Sequence, residues 1–154
     1  AMEFKQMGNN VTVITLSEEI EENLEIENLN GITILRFKTG KIESAKYKLT
    51  RGLNELLISY KIWVYGKKYF KKNPSDLLVW YSPTIFFGKI ISKLKKINKS
   101  KTYLILRDIF PQWALDTGNL KKGIFYSFLK QIEIFQYNHA DKIPRTSYYV
   151  HEGY

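Results

Sequence analysis

Lys101-Thr-Tyr-Leu-Ile-Leu-Arg-Asp-Ile-Phe-Pro-Gln-Trp-Ala-Leu-Asp-Thr-Gly118 is the stretch from which the fold is read. Its apolar run, Tyr103 to Leu106, is short and continuous, as in a strand buried on both faces of a parallel sheet. The run stops at Arg107 and Asp108, where the strand would reach its carboxyl edge. Ligands of open α/β sheets bind outside that edge. Pro111 has no N–H for a ladder and bars simple continuation. Gln112 to Asp116 is long enough for one helical turn, which Gly118 would close in the left-handed conformation.

Working outward, strands and helices alternate. Residues 1 to 8 read as the end of a helix, with Gly8 past its last turn. The beginning of that helix would lie upstream of Ala1. Val11 to Thr15 is a β-branched strand. Ser17 to Asn30 reads as an acidic loop, and Ile32 to Phe37 as a second strand. Thr39 to Tyr47 is a polar linker. A helix is expected from about Leu49 to Tyr65, with Leu49, Leu53, Leu56, Leu57, Tyr60 and Val64 inward and Ile58, Ile62 and Tyr65 broadening the stripe. Gly66 to Lys72 reads as a basic-aromatic turn.

Asp76 to Tyr81 is the third strand. Ser82 is the expected N-cap and Pro83 the first residue of a helix ending near Asn98. That helix has Phe87, Ile90, Ile91 and Leu94 on its apolar side and Lys89, Lys93 and Lys96 on its polar side. A last helix is expected from about Lys122 to His139, with Ile124, Phe125, Phe128, Ile132 and Phe135 inward. Lys142-Ile143 starts another strand that Pro144 spoils. Residues 144–154 carry no usable periodicity and are expected to stay out of the sheet. The pattern is α/β, with a parallel sheet, and residues 1–143 form the domain.

The composition limits the function classes. The chain has 154 residues, no cysteine and two histidines twelve positions apart. No thiolate metal site or disulfide framework is possible, and no metal or other cofactor is expected. No apolar run reaches the roughly 18 residues of a membrane span, and no secretory signal is visible. The expected compartment is the cytoplasm. The net charge is +9, unevenly spread. Six of the fifteen acids fall between Glu18 and Glu27, whereas residues 77 to 106 carry six lysines and no acid. A basic face suits an anionic partner; the plain alternative is a solvated lysine surface. Nucleic acid is not expected as that partner, because no helix-turn-helix, RNA-binding or zinc signature is present.

Phosphate-cradling glycine loops and nucleophile elbows are also missing. What remains is a convergence at strand ends. Thr15, Ser82 and the Arg107-Asp108 pair each end a predicted parallel strand, and on neighbouring strands they would share one rim. A carboxylate there accepts from a sugar hydroxyl, and a guanidinium grips a phosphate bidentately. The alternative is that Arg107 and Asp108 pair with each other or cap the next turn.

Residues 106–118, Leu-Arg-Asp-Ile-Phe-Pro-Gln-Trp-Ala-Leu-Asp-Thr-Gly, resemble the Arg-Asp-Leu-Phe/Trp-Pro signature of bacterial family 4 glycosyltransferases. The nearest branch is the one acting in surface polysaccharide (O-antigen and capsule) synthesis, often described as fucosamine transferases. Asp76 to Pro83 resembles that branch's strand ending in Ser-Pro. Met7 to Thr15 resembles its second strand, and Asn138 to Ile143 its Ala-Asp helix end.

The resemblance implies one half of a GT-B fold: a Rossmann-like parallel sheet with helices on both faces, lacking its first strand. It implies the acceptor-binding domain of a retaining enzyme, with the nucleotide-sugar held by a second, C-terminal domain. The signature of that domain, Glu-x7-Glu, is matched here only by Glu19 and Glu27 in the acidic stretch, which is a chance match. Asp108 is the catalytic candidate, near a position where other members carry a polar group, often His; the residue type departs from that pattern. Thr15, Ser82, Arg107, Gln112 and Trp113 are the substrate-binding candidates. A lipid-linked saccharide would keep the enzyme on the inner face of the cell membrane. The contact expected there is Lys67, Lys68, Lys71 and Lys72, with Tyr69 and Phe70 entering the headgroups, together with Lys89, Lys93 and Lys96. The rival reading is a non-catalytic Rossmann-like binding or scaffold protein with the same basic, membrane-facing surface.

Overall fold

The computed structural model describes residues 1–40, 48–81, 84–106 and 109–144, with the backbone alone for 48–53. The chain is mixed α/β and divides into two compact units, Ala1–Tyr69 and Phe70–Tyr154.

The first unit opens with helix α1, Met2–Gln6, which Gly8 closes at φ 84°. Strand β1, Thr12–Ser17, lies parallel to β3, Ile32–Lys38, with Thr12 opposite Thr33 and Ser17 opposite Lys38. Between them in sequence runs β2, Leu24–Leu29, antiparallel to β3. The expected acidic loop is therefore a strand for half its length, and the three-stranded sheet is mixed, in the order β1-β3-β2. The cause is the turn. Asn30 and Gly31 stand at φ 53° and 76° between the paired Leu29 and Ile32. Two positive-φ residues make the tight hairpin turn that matches strand twist, and Asn-Gly is its preferred sequence. The Asn28 side chain accepts from the Gly31 N–H at 3.1 Å. On β3, Ile32, Leu35 and Phe37 are buried.

Helix α2 runs from Lys48 to Lys72, 25 residues, past the expected end at Tyr65. Gly66 to Lys72 is thus its last two turns and not a separate turn. Glycine weakens a helix by about 1 kcal/mol relative to alanine, and packing outweighs that here. Gly66 lies on the buried stripe Ile58, Ile62, Gly66, Phe70, spaced four apart. The expected inward residues Leu56, Leu57 and Tyr60 are exposed, and Val64 is half-buried. A helix apolar around much of its circumference leaves its inward direction open. Residues 41–47 of the polar linker lie outside the described residues.

The second unit holds a parallel pair, β4 (Leu77–Tyr81) and β5 (Lys101–Ile105), joined through helix α3 (Gly88–Asn98). Ser82 and Pro83 lie outside the described residues. The described cap is Thr84, whose hydroxyl accepts from the Phe86 N–H at 3.4 Å and starts a 3₁₀ turn, Ile85–Phe87, ahead of α3. Ile90, Ile91 and Leu94 are buried as their spacing predicts. Strand β5 alternates: Thr102 and Leu104 are buried, Lys101 and Ile105 exposed. It is buried on one face, not two. A single parallel bridge, Tyr103 to Lys142, flanks it on the other side, where Lys142-Ile143 was expected to start a strand. Helix α4, Gln112–Asp116, ends at Gly118 with φ 72°, as expected. Helix α5 is Ile124–Tyr137. Trp80, Ile91 and Leu104 form the core, with Phe87, Tyr137 and Ala140 packed around them.

Helix α5 is turned away from the expected orientation, with Ile132, of the expected inward residues, half-buried. Leu129, Glu133 and Gln136 are buried, while Ile124, Phe125, Phe128 and Phe135 are exposed. Gly88 explains how the helix sits: a Cβ there would lie 3.0 Å from the Gln136 Cα and 3.1 Å from the Phe135 ring. The missing side chain lets α5 approach the start of α3 closely.

Candidate functional site

Strands β4 and β5 end together, Tyr81 opposite Ile105. Their carboxyl ends form one edge, and Leu106 continues from it. Ser82, Arg107 and Asp108 follow those ends and lie outside the described residues. Thr15 belongs to the first unit and to a separate sheet. It is half-buried and pairs with Arg36, and β1 runs two residues beyond it to Ser17, so it does not end its strand.

The residues after the edge are well described. The amide of Gln112 is held at both ends: Tyr126 donates its hydroxyl to Oε1 at 2.8 Å, and Nε2 donates to Asp116 Oδ1 at 2.7 Å. Gln112 therefore anchors α4 to α5. Next to it, Trp113 is 56% exposed, its N–H fixed to the Ile109 carbonyl at 2.8 Å. Thr117 donates to the Trp113 carbonyl at 2.9 Å, and Asn119 donates to the Thr117 hydroxyl at 2.9 Å. An indole held by its backbone with its ring in solvent is a flat apolar platform.

The basic candidates divide. Lys67, Lys68, Lys71 and Lys72 are exposed on the last turns of α2, and Lys89, Lys93 and Lys96 are exposed along α3. Tyr69 is half-buried, its hydroxyl 3.2 Å from the Thr12 hydroxyl. Phe70 is only 5% exposed and cannot enter a headgroup layer; it closes the buried stripe of α2. Among the described residues no helix is long and apolar enough to cross a membrane.

Two polar clusters of the second unit went unread in the sequence. Asp141 receives Lys95 Nζ at 2.6 Å on one oxygen and the Thr102 N–H at 2.8 Å on the other. Lys95 and then Thr102 hold its carboxyl down at about 2, against an ordinary 3.8. The second cluster is on α5. Glu133 is fully buried; it accepts the Tyr137 hydroxyl at 2.8 Å on Oε1, and Lys130 Nζ lies 2.7 Å from Oε2 in an ion-pair contact. Burial, and then Glu133, push the Tyr137 hydroxyl up and keep it protonated. The spacing Lys130-x-x-Glu133-x-x-x-Tyr137 was the available signal, since residues three and four apart meet on a helix.

Comparison with protein-family models, curated proteins and solved structures finds no match.

Proposed function

We propose that the chain is the acceptor-binding domain of a retaining glycosyltransferase of the GT-B class. It would transfer a sugar from a nucleotide-sugar to a lipid-linked saccharide in bacterial surface polysaccharide synthesis, at the inner face of the cell membrane. The donor would bind a second, C-terminal domain, and the present units would belong to a Rossmann-like half. What supports this reading is residues 106–118, whose Arg-Asp-Ile-Phe-Pro pattern resembles the family signature. That stretch follows the joint carboxyl edge of β4 and β5, where ligands of α/β sheets bind. In it Asp108 is assigned the orienting or acid–base role and Arg107 the phosphate. Trp113 would stack on a sugar ring, with Gln112 holding its helix in place. Ser82 and Thr15 remain candidate hydroxyl contacts.

The test is a titration of the chain with a polyprenyl-diphosphate-linked saccharide in detergent, read by tryptophan fluorescence. A saturable change that disappears in Trp113→Phe is expected. A signal unaffected by that substitution, or none with any saccharide, overturns the assignment.

A further inference from the structure

Helix α5 shows the solvent the side that its sequence marks as apolar. Ile124 is 93% exposed, Phe125 62%, Phe128 50% and Phe135 40%. They recur at helical spacing on one side, about a quarter-turn from the buried Leu129, Glu133 and Gln136. A contiguous apolar face on the outside of a helix marks a binding surface, because water penalises leaving it bare.

The charges around this face select the occupant. Lys121 and Lys122 precede the helix and are exposed. The acids nearest in sequence are engaged: Asp116 with Gln112, Glu133 with Lys130 and Tyr137, Asp141 with Lys95 and Thr102. A second copy would set its own lysines against these, and among the described residues Glu133 and Asp141 already have cationic partners. An occupant that is apolar inside and anionic outside satisfies both halves, and it needs no directional partner for the phenyl rings. From Ile124 to Phe135 the face is roughly 16 Å long, too short to span the roughly 30 Å of a hydrocarbon core. It is suited to lying along one.

We infer that α5 docks the protein on an anionic phospholipid bilayer, with Phe125 and Phe128 entering the boundary between headgroups and acyl chains and Lys121 and Lys122 at the phosphates. This rests on the reading above only for the choice of a membrane; it needs no sugar transfer. It also moves the insertion away from α2, whose Phe70 is buried.

The test is co-sedimentation of the 154-residue chain with vesicles free of saccharide, either neutral phosphatidylcholine or containing about a third phosphatidylglycerol. Binding to the anionic vesicles is expected. Phe125→Ser/Phe128→Ser should lower partition by about tenfold or more with an unchanged melting curve, since both rings are already exposed. Lys121→Gln/Lys122→Gln should weaken binding at low salt and flatten its salt dependence. The proposal is overturned if the serine variant binds like the parent. It is also overturned if only the substitutions of Lys67, Lys68, Lys71 and Lys72 matter, or if the face pairs two copies that vesicles do not separate. Because the vesicles hold no acceptor, a failure here leaves the glycosyltransferase reading untouched, and Asp108→Ala should leave vesicle binding intact.

Discussion

Thr102 and Asp141 exchange hydrogen bonds: the Thr102 N–H donates to Asp141 Oδ2 at 2.8 Å, and the Asp141 N–H donates to the Thr102 hydroxyl at 2.9 Å. The pair fastens the end of α5 to β5 beside the Tyr103–Lys142 bridge. Because the folded state holds the Asp141 carboxyl at about 2 against 3.8, its contribution is full above the ordinary value and is lost as pH falls through about 2. Asp141→Asn should melt below the parent at neutral pH, and the gap should narrow below pH 4 and close near pH 2. Circular dichroism melts across that range check it; a gap independent of pH contradicts it.

The Lys130–Glu133 contact gives a second prediction. Removing the cation strands a fully buried carboxylate. Lys130→Met should cost about 2 to 3 kcal/mol, less than the 3–5 typical of a fully buried pair because Lys130 still touches water. Lys130→Met/Glu133→Leu should recover most of that loss, since an apolar pair of similar volume needs no counter-charge. Urea unfolding of the three proteins decides it, and a double mutant weaker than the single one is the contrary result.

In a full-length enzyme, Asp108→Ala should lower turnover about 100-fold or more, the usual worth of an acid–base or orienting group, and leave stability within about 1 kcal/mol. A variant that melts early yet keeps its specific activity makes Asp108 a turn cap.

The 154-residue chain by itself should transfer no sugar. No glycine-rich phosphate cradle occurs in it. Incubation with nucleotide-sugars and a lipid-linked acceptor checks this, and turnover above a buffer blank refutes it.

Most of the elements can be read from the sequence. Strands β1, β3, β4 and β5 follow from β-branched or apolar runs, α3 from its period, and α4 from Pro111 and Gly118. Orientation and extent are less legible. Strand β2 was obscured because glutamates outweighed the Asn30-Gly31 turn. The true length of α2 was hidden by Gly66, which reads as a stop but is buried within the stripe. Periodicity gave the α5 stripe correctly without its sign. Which side faces the body is settled by Gly88 and by the Lys130, Glu133 and Tyr137 cluster, neither visible in a count of apolar residues. Near the candidate site the short helix α4 and its close at Gly118 were legible, whereas the bonds of the Gln112 amide to Tyr126 and Asp116 were not.

Strand β2 stands at one end of its described sheet, with Ile26 and Leu29 largely exposed. A strand at the end of a sheet can template other chains, and charged side chains are the usual guard against it. Glu21, Glu22, Glu25 and Glu27 supply that guard as repulsion between molecules. Two such edges brought together would set glutamate against glutamate, which disfavours lateral pairing of hairpins, and added salt relaxes that bar. Salt is therefore the variable to watch in storing and crystallising this protein, because it screens the repulsion between acidic hairpins.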